Sequence, residues 1–126
     1  MKSSYKYRVV FDDDWHFELL PNNNNDQFVG KSGKYPTKDE VISALHRFKE
    51  FLSGKEVIDY TTEILPPKEE KQKSNKYRGI FSFSNDEMFS TRSYYHRYEV
   101  ENGIQRILAN YNTSVRTDLE KVRSKK

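Results

Sequence analysis

Hydrophobic and polar residues follow a pattern along this chain that comes round twice. The stretch from Ser32 to Leu52 reads as a strand end, a tight link and one amphipathic helix, and a fainter copy runs from Thr91 to Tyr111. Displacing the chain by 59 positions lays Tyr35 on Tyr94, Glu40 on Glu99, Val41 on Val100, Leu45 on Ile104, Arg47 on Arg106 and Phe48 on Ile107. Apolar positions that recur in register predict two copies of one small unit. Each copy is too short to close a core alone. One domain with a shared interior is therefore expected, made of repeats at 5–62 and 76–119, a charged linker at 64–75 and a frayed basic tail at 120–126.

In the first copy, Tyr7-Arg8-Val9-Val10-Phe11 has strand composition and Asp12-Asp13-Asp14 is a turn signal, so a hairpin is predicted. Trp15, Phe17 and Leu19 alternate with polar residues at period two and are expected to face the core, with His16 and Glu18 facing away. Pro21 and the asparagine tract Asn22-Asn23-Asn24-Asn25 predict a loop, and Gln27 to Tyr35 a third strand. Thr37 with Glu40 forms a capping-box signature, after which Val41, Leu45, Phe48 and Leu52 make one helical stripe that Gly54 is placed to end. Val57 to Thr62 reads as a further short strand, and the polar run Pro66 to Asn75 has almost nothing to bury.

The second copy repeats this order. Tyr77 to Phe83 and Met88 to Tyr95 are predicted strands, and Arg97 to Asn110 a helix expected to bury Val100, Ile104, Ile107 and, just past its end, Tyr111. Gly103 falls where the first copy has Ala44, which predicts helices lying close to the sheet. Val115 to Leu119 is expected to supply a last short strand. Strands and helices in this mixture predict an α+β fold.

An aromatic-rich strand Trp15-x-Phe17-x-Leu19, a strand end with Ser32 and Tyr35, a helix led by Thr37, and in the second copy Tyr94 and Glu101-Asn102-Gly103-Ile104 together resemble the YegP-like family of small bacterial tandem-repeat proteins. Thr91 stands where that family has serine, and Ala44-Leu45 where it has Gly-Ile. The resemblance spans nearly the whole chain, and its motifs are structural. It implies two strand-strand-strand-helix-strand repeats forming one antiparallel sheet, with two helices packed on it and terminal strands exchanged between repeats. Val57 to Thr62 and Val115 to Leu119 would be the exchanged strands. The family is a domain of unknown function and brings no catalytic residues with it.

Composition narrows the chemistry. Aromatic residues make up 14% against 34% hydrophobic residues overall, which predicts a folded protein with a wet, charged surface. With no cysteine there are no disulfides, thiolate nucleophiles or thiolate metal sites. Twenty-two basic and 19 acidic residues leave a net charge of +3, which permits an anionic partner without demanding one. No stretch has the length of a membrane span and no signal-like apolar run follows Met1, so a cytoplasmic protein is expected.

The motifs that suggest catalysis or metal binding are incomplete. Gly30-Lys31-Ser32-Gly33-Lys34 resembles a phosphate loop, but Asn25 occupies the place of the first glycine and Pro36 separates the segment from its helix. Asp12, Asp13, Asp14 and His16 have ligand chemistry, yet neighbours on a hairpin point to opposite faces. His46 and His96 are placed on or near helix surfaces, with no nucleophile elbow or glycine-rich oxyanion loop to complete a triad. The remaining candidate is the sheet face opposite Trp15 and Phe17, where alternation places Lys6, Arg8, His16 and Arg78 as contacts for an anion or nucleic acid, if that face is open. A non-enzymatic, monomeric interaction module without cofactor or metal is expected, with a protein or peptide as its partner and nucleic-acid binding as the alternative.

Overall fold

The computed structural model describes residues 5–22, 27–54, 60–67, 74–83, 86–113, 115 and 121–123. Its elements are β1 (Tyr5–Asp12), β2 (Asp14–Pro21), β3 (Gly30–Ser32), α1 (Lys38–Ser53), β4 (Thr61–Leu65), β5 (Lys76–Phe83), β6 (Asp86–Thr91), α2 (Arg97–Asn110) and β7 (Lys121–Arg123). The strands form one sheet in the order β4-β5-β6-β3-β2-β1-β7. Neighbours from β4 to β1 run antiparallel, and β7 joins β1 in parallel at the edge.

Alternation decides the faces. Phe17, Leu19, Phe81 and Phe89 point to the side covered by the helices, where Val41, Leu45, Phe48 and Leu52 of α1 and Val100, Ile104 and Ile107 of α2 complete a single core. Burying side chains of this size contributes roughly 1.5–3 kcal/mol each. An aromatic stack joins the parts. The Phe48 and Phe89 rings lie 4.4 Å apart and nearly parallel, and Phe17 stacks on Phe89 at 5.5 Å.

The hairpin between β1 and β2 turns on Asp13 alone, whose φ of 64° is one that aspartate tolerates better than most residues. In α1 the expected cap is present, with Thr37 Oγ1 accepting from the Glu40 amide at 3.2 Å. Gly54 ends the helix, but with φ of −88° and not by a left-handed turn; its amide donates to the carbonyls of Glu50 and Leu52. Helix α2 spans the predicted residues, and its N-cap, His96, makes no side-chain capping bond.

Several boundaries differ from the sequence reading. The predicted strands ending at Tyr35 and Tyr95 are shorter. β3 stops at Ser32 and β6 at Thr91, and each chain then touches the sheet again at one bridge, Trp15 with Tyr35 and Tyr77 with Tyr94. The strand expected at Val57 to Thr62 lies at Thr61–Leu65, residues 55–59 being outside those described. Of the strand expected at Val115 to Leu119, Val115 bridges Tyr7 in parallel and residues 116–120 lie outside those described.

The basic tail also departs from expectation, since Lys121–Arg123 is a strand on β1. Polar contacts hold the preceding segment there. The buried Tyr7 hydroxyl donates to the Tyr111 carbonyl, Thr113 Oγ1 donates to the Tyr5 carbonyl at 2.7 Å, and Lys49 Nζ donates to the Thr113 carbonyl at 2.9 Å.

Close helix–sheet approach is found at different glycines from the one expected. A Cβ on Gly103 would meet Thr91 and Tyr94 at an ordinary 3.5 Å, whereas one on Gly79 would lie 2.9 Å from Val100 Cγ1 and Ile104 Cδ1. Gly30 is crowded by Phe89 and the Ser90 carbonyl of the neighbouring strand as well as by Ile107 of α2. The tight fits are therefore on the sheet, beneath the large helix residues.

Candidate functional site

On the sheet face away from the helices, cross-strand register sets acids opposite bases. Arg8 pairs with Glu18 in the β1–β2 ladder, and Arg78 with Glu63 in the β4–β5 ladder. Arg8 Nε and Nη2 donate to Glu18 Oε1 at 3.2 and 2.5 Å, and His16 Nε2 lies 3.0 Å from Glu18 Oε2. Glu18 is wholly enclosed, and Arg8 and His16 are only 5% and 9% exposed. Burial by itself raises the Glu18 pKa; hydrogen bonds from His16 and Arg8, together with their charges, outweigh it and hold the carboxyl below its ordinary range.

The second arginine sits in a looser network. Arg78 donates through Nε and Nη2 to Glu63 Oε2 at 2.9 and 2.5 Å, through Nη2 to Glu87 Oε1 at 3.1 Å and through Nη1 to the buried Ser90 Oγ at 3.4 Å. Lys6 is half-buried at the start of β1. The face expected to be open is thus closed around Arg8, His16 and Glu18, with Val10 and Leu20 buried beside them. Alternation placed Glu18 on this face with Arg8 and His16; it could not reveal that Glu63 and Glu87 stand by Arg78, because register is a long-range property.

The segment resembling a phosphate loop has a structural role for its hydroxyl. Ser32 Oγ accepts from the Phe17 amide at 3.0 Å and donates to the Gly33 carbonyl at 2.8 Å. Thr91 does the same in the other half, accepting from the Gly79 amide at 2.9 Å and donating to the Arg92 carbonyl at 2.7 Å. These bonds satisfy strand amides where each chain leaves the sheet. Asp13 is exposed at the hairpin turn, His46 is exposed on α1, and His96 is exposed and stacked on Tyr98 at 5.4 Å. No group of three or more His, Asp or Glu suited to a metal ion occurs among the described residues.

Two grooves open where those links pass from sheet to helix. One, of about 480 Å³, is lined by Phe28, Val29, Arg92, Ser93, Tyr94 and Arg106, among others. Its counterpart, of about 800 Å³, takes in Lys34, Tyr35, Arg47, Glu50, Glu87 and Met88. The sequence reading missed both, although Tyr35 with Tyr94 and Arg47 with Arg106 had already been matched as recurring pairs.

The exposed apolar surface lies elsewhere. Ile64 and Tyr95 are 50% exposed and Tyr98 62%. Ile64 stands opposite Tyr77 in the ladder, the Arg97 guanidinium lies 4.8 Å from the Tyr77 ring, and Lys76 Nζ lies 4.9 Å from the Tyr95 ring. An aromatic and cationic surface therefore gathers where β4, β5 and the start of α2 meet.

These features define an α+β protein with two helices on one face of a single sheet. Two solved structures have that fold over almost the whole chain. The yegP protein of E. coli, a protein of unknown function, superposes with a TM-score of 0.67 at 14% identity, covering 100% of this chain and 98% of its own. A UPF0339 protein from Shewanella oneidensis gives 0.65 at 16%, covering 97% and 93%. At these identities the likeness establishes the fold. No protein-family model and no curated protein matches the chain. Among the described residues, no helix is long and apolar enough to cross a membrane.

Proposed function

We propose that this chain is a non-enzymatic, monomeric, cytoplasmic interaction module, a divergent member of the YegP-like family, built from two repeats that exchange terminal strands. Support for the repeats comes from the pairing at the sheet centre. Lys31 lies opposite Ser90, Gly30 opposite Thr91 and Ser32 opposite Phe89, an arrangement unchanged when each residue is replaced by its counterpart 59 positions away. Support for the exchange is that β4, which follows α1, pairs with β5, and that Val115, which follows α2, pairs with Tyr7.

The observation that carries the binding role is the exposed surface around Ile64, Tyr95 and Tyr98, beside the outer edge of β4. A partner peptide would lie along β4 as an added strand, setting apolar or acidic side chains against Ile64, Tyr98, Lys76 and Arg97. Affinity capture from the native cell with the parent chain, Ile64→Lys and Tyr98→Ala tests this. A partner retained by the parent and lost by both variants supports the surface, and equal capture by all three overturns it.

Nucleic-acid binding through Lys6, Arg8, His16 and Arg78 has less behind it, because Arg8 and Arg78 already face carboxylates. Labelled single- and double-stranded nucleic acid at low and moderate salt is the test. Absence of binding even at low salt eliminates that reading.

A further inference from the structure

The smaller groove differs from its counterpart in charge, and that difference is chemically informative. Lining residues 28, 29, 92, 93, 94 and 106 of one correspond, 59 positions away, to 87, 88, 33, 34, 35 and 47 of the other. In the larger groove Glu50 and Glu87 accompany Lys34 and Arg47, so both signs are present. In the smaller one Phe28 stands in place of Glu87 and Arg92 in place of Gly33. That leaves Arg92 and Arg106 with no carboxylate among the described lining residues.

Among the described residues, the contacts of both guanidiniums are with aromatic residues and not with acids. Arg106 donates through Nε to the Tyr5 hydroxyl at 2.8 Å and lies 5.6 Å from the centre of its ring, and Arg92 lies 5.5 Å from that of Phe28. Aromatic support of this kind orients a guanidinium without neutralising it. Arg92, Arg106 and the half-buried Tyr94 line the same groove. Burial raises the pKa of the Tyr94 hydroxyl, partly offset by Arg106 and Arg92, and Glu99 adds to the rise; it remains a protonated donor. Ser93 adds a further hydroxyl, and Pro21, Phe28 and Val29 supply an apolar wall.

We propose that this groove binds a small organic phosphate, its phosphoryl oxygens taken by Arg92, Arg106 and the Tyr94 hydroxyl and its organic part lying against Phe28 and Val29. Guanidinium forks match the oxygens of a dianionic phosphate, and a volume near 480 Å³ accommodates a monoester with a ring or short chain. The site is separate from the peptide surface proposed above and does not rest on it, since none of Ile64, Tyr95 or Tyr98 lines the groove.

Phenyl phosphate is a suitable probe, titrated into the full chain and followed by amide chemical shifts, with inorganic phosphate and benzoate in parallel. Saturable shifts at Phe28, Ser93, Tyr94 and Arg106 are expected, with phenyl phosphate binding more tightly than either control. Arg92→Gln and Arg106→Gln should each weaken it by roughly tenfold or more. Arg47→Gln, in the other groove, should leave it unchanged, and unaltered amide spectra away from the groove will show that each variant is folded. Three results overturn the proposal: no saturation in the millimolar range, shifts scattered over surface lysines, or equal loss of binding with Arg47→Gln.

Discussion

Glu18 meets Arg8 and His16 inside the protein, and this makes it the residue whose chemistry bears most directly on stability. Its carboxyl is held below the ordinary value of 4.5, so as the pH falls the unfolded chain takes up this proton before the folded one does. The stability contributed by Glu18 is therefore complete above about pH 4.5 and declines as the pH drops through the lower folded value. Urea unfolding of the parent across pH 3–6 should register that decline, and Glu18→Gln should flatten it. The substitution also takes one carboxylate away from the enclosed Arg8 guanidinium and should lower stability at pH 7. Replacing the pair together, Arg8→Met with Glu18→Leu, should recover most of that loss; a double variant as unstable as the single one would mean the ion pair is not the cause. Glycine substitutions separate two further roles. Gly79→Ala forces a methyl against Val100 and Ile104 and should cost roughly 1–3 kcal/mol. Gly103→Ala has ordinary contact distances in a helix interior and should gain roughly 0.5–1 kcal/mol, both values read from urea midpoints. If Gly103→Ala proved the worse of the two, the contacts that distinguish these positions would be wrong.

Elements differ in how much of their origin is local. Helix α1 has Thr37 bonded to the Glu40 amide, whereas α2 begins at His96 without a side-chain cap. Thr37→Ala should cost about 1 kcal/mol, and His96→Ser should gain roughly 0.5–1 kcal/mol, in equilibrium unfolding. A loss on installing serine would mean that the stacking of His96 on Tyr98 matters more than the empty cap. Helix α1 was legible because stripe, cap and stop all lie within one stretch of sequence, α2 from its stripe, and so was the alternation of β2. The short reach of β3 and β6 was not legible. Each gives up its ladder to a serine or threonine hydroxyl, an exchange that depends on where Phe17 and Gly79 lie across the sheet. The last strand was missed for a related reason. Lys121–Arg123 has no apolar pattern of its own and pairs with β1, while Tyr7, Thr113 and Lys49 fix the chain before it. The candidate site divided the same way, since the basic residues of the sheet face and Glu18 among them could be picked out, but Glu63, Glu87 and the grooves depend on tertiary register.

In the molecule as a whole, the aromatic stack makes the two sequence halves interdependent. Phe48 belongs to α1, yet its ring lies 4.4 Å from Phe89 of β6 and 6.1 Å from Phe81 of β5, so the first helix completes its burial on strands of the second half. The β3–β6 pair adds backbone bonds across the same boundary. Neither half can retain its core if the other opens, which predicts one cooperative transition. Phe48→Ala should destabilise the protein by about 3–5 kcal/mol. Its diagnostic effect is where the loss appears. Amide hydrogen exchange should accelerate to the same degree in β5 and α2 as in β2 and α1, because global unfolding is then the shared route to exchange. Faster exchange confined to α1 and β2 would instead mean that the halves open separately, and that the stack bridges two units able to stand apart.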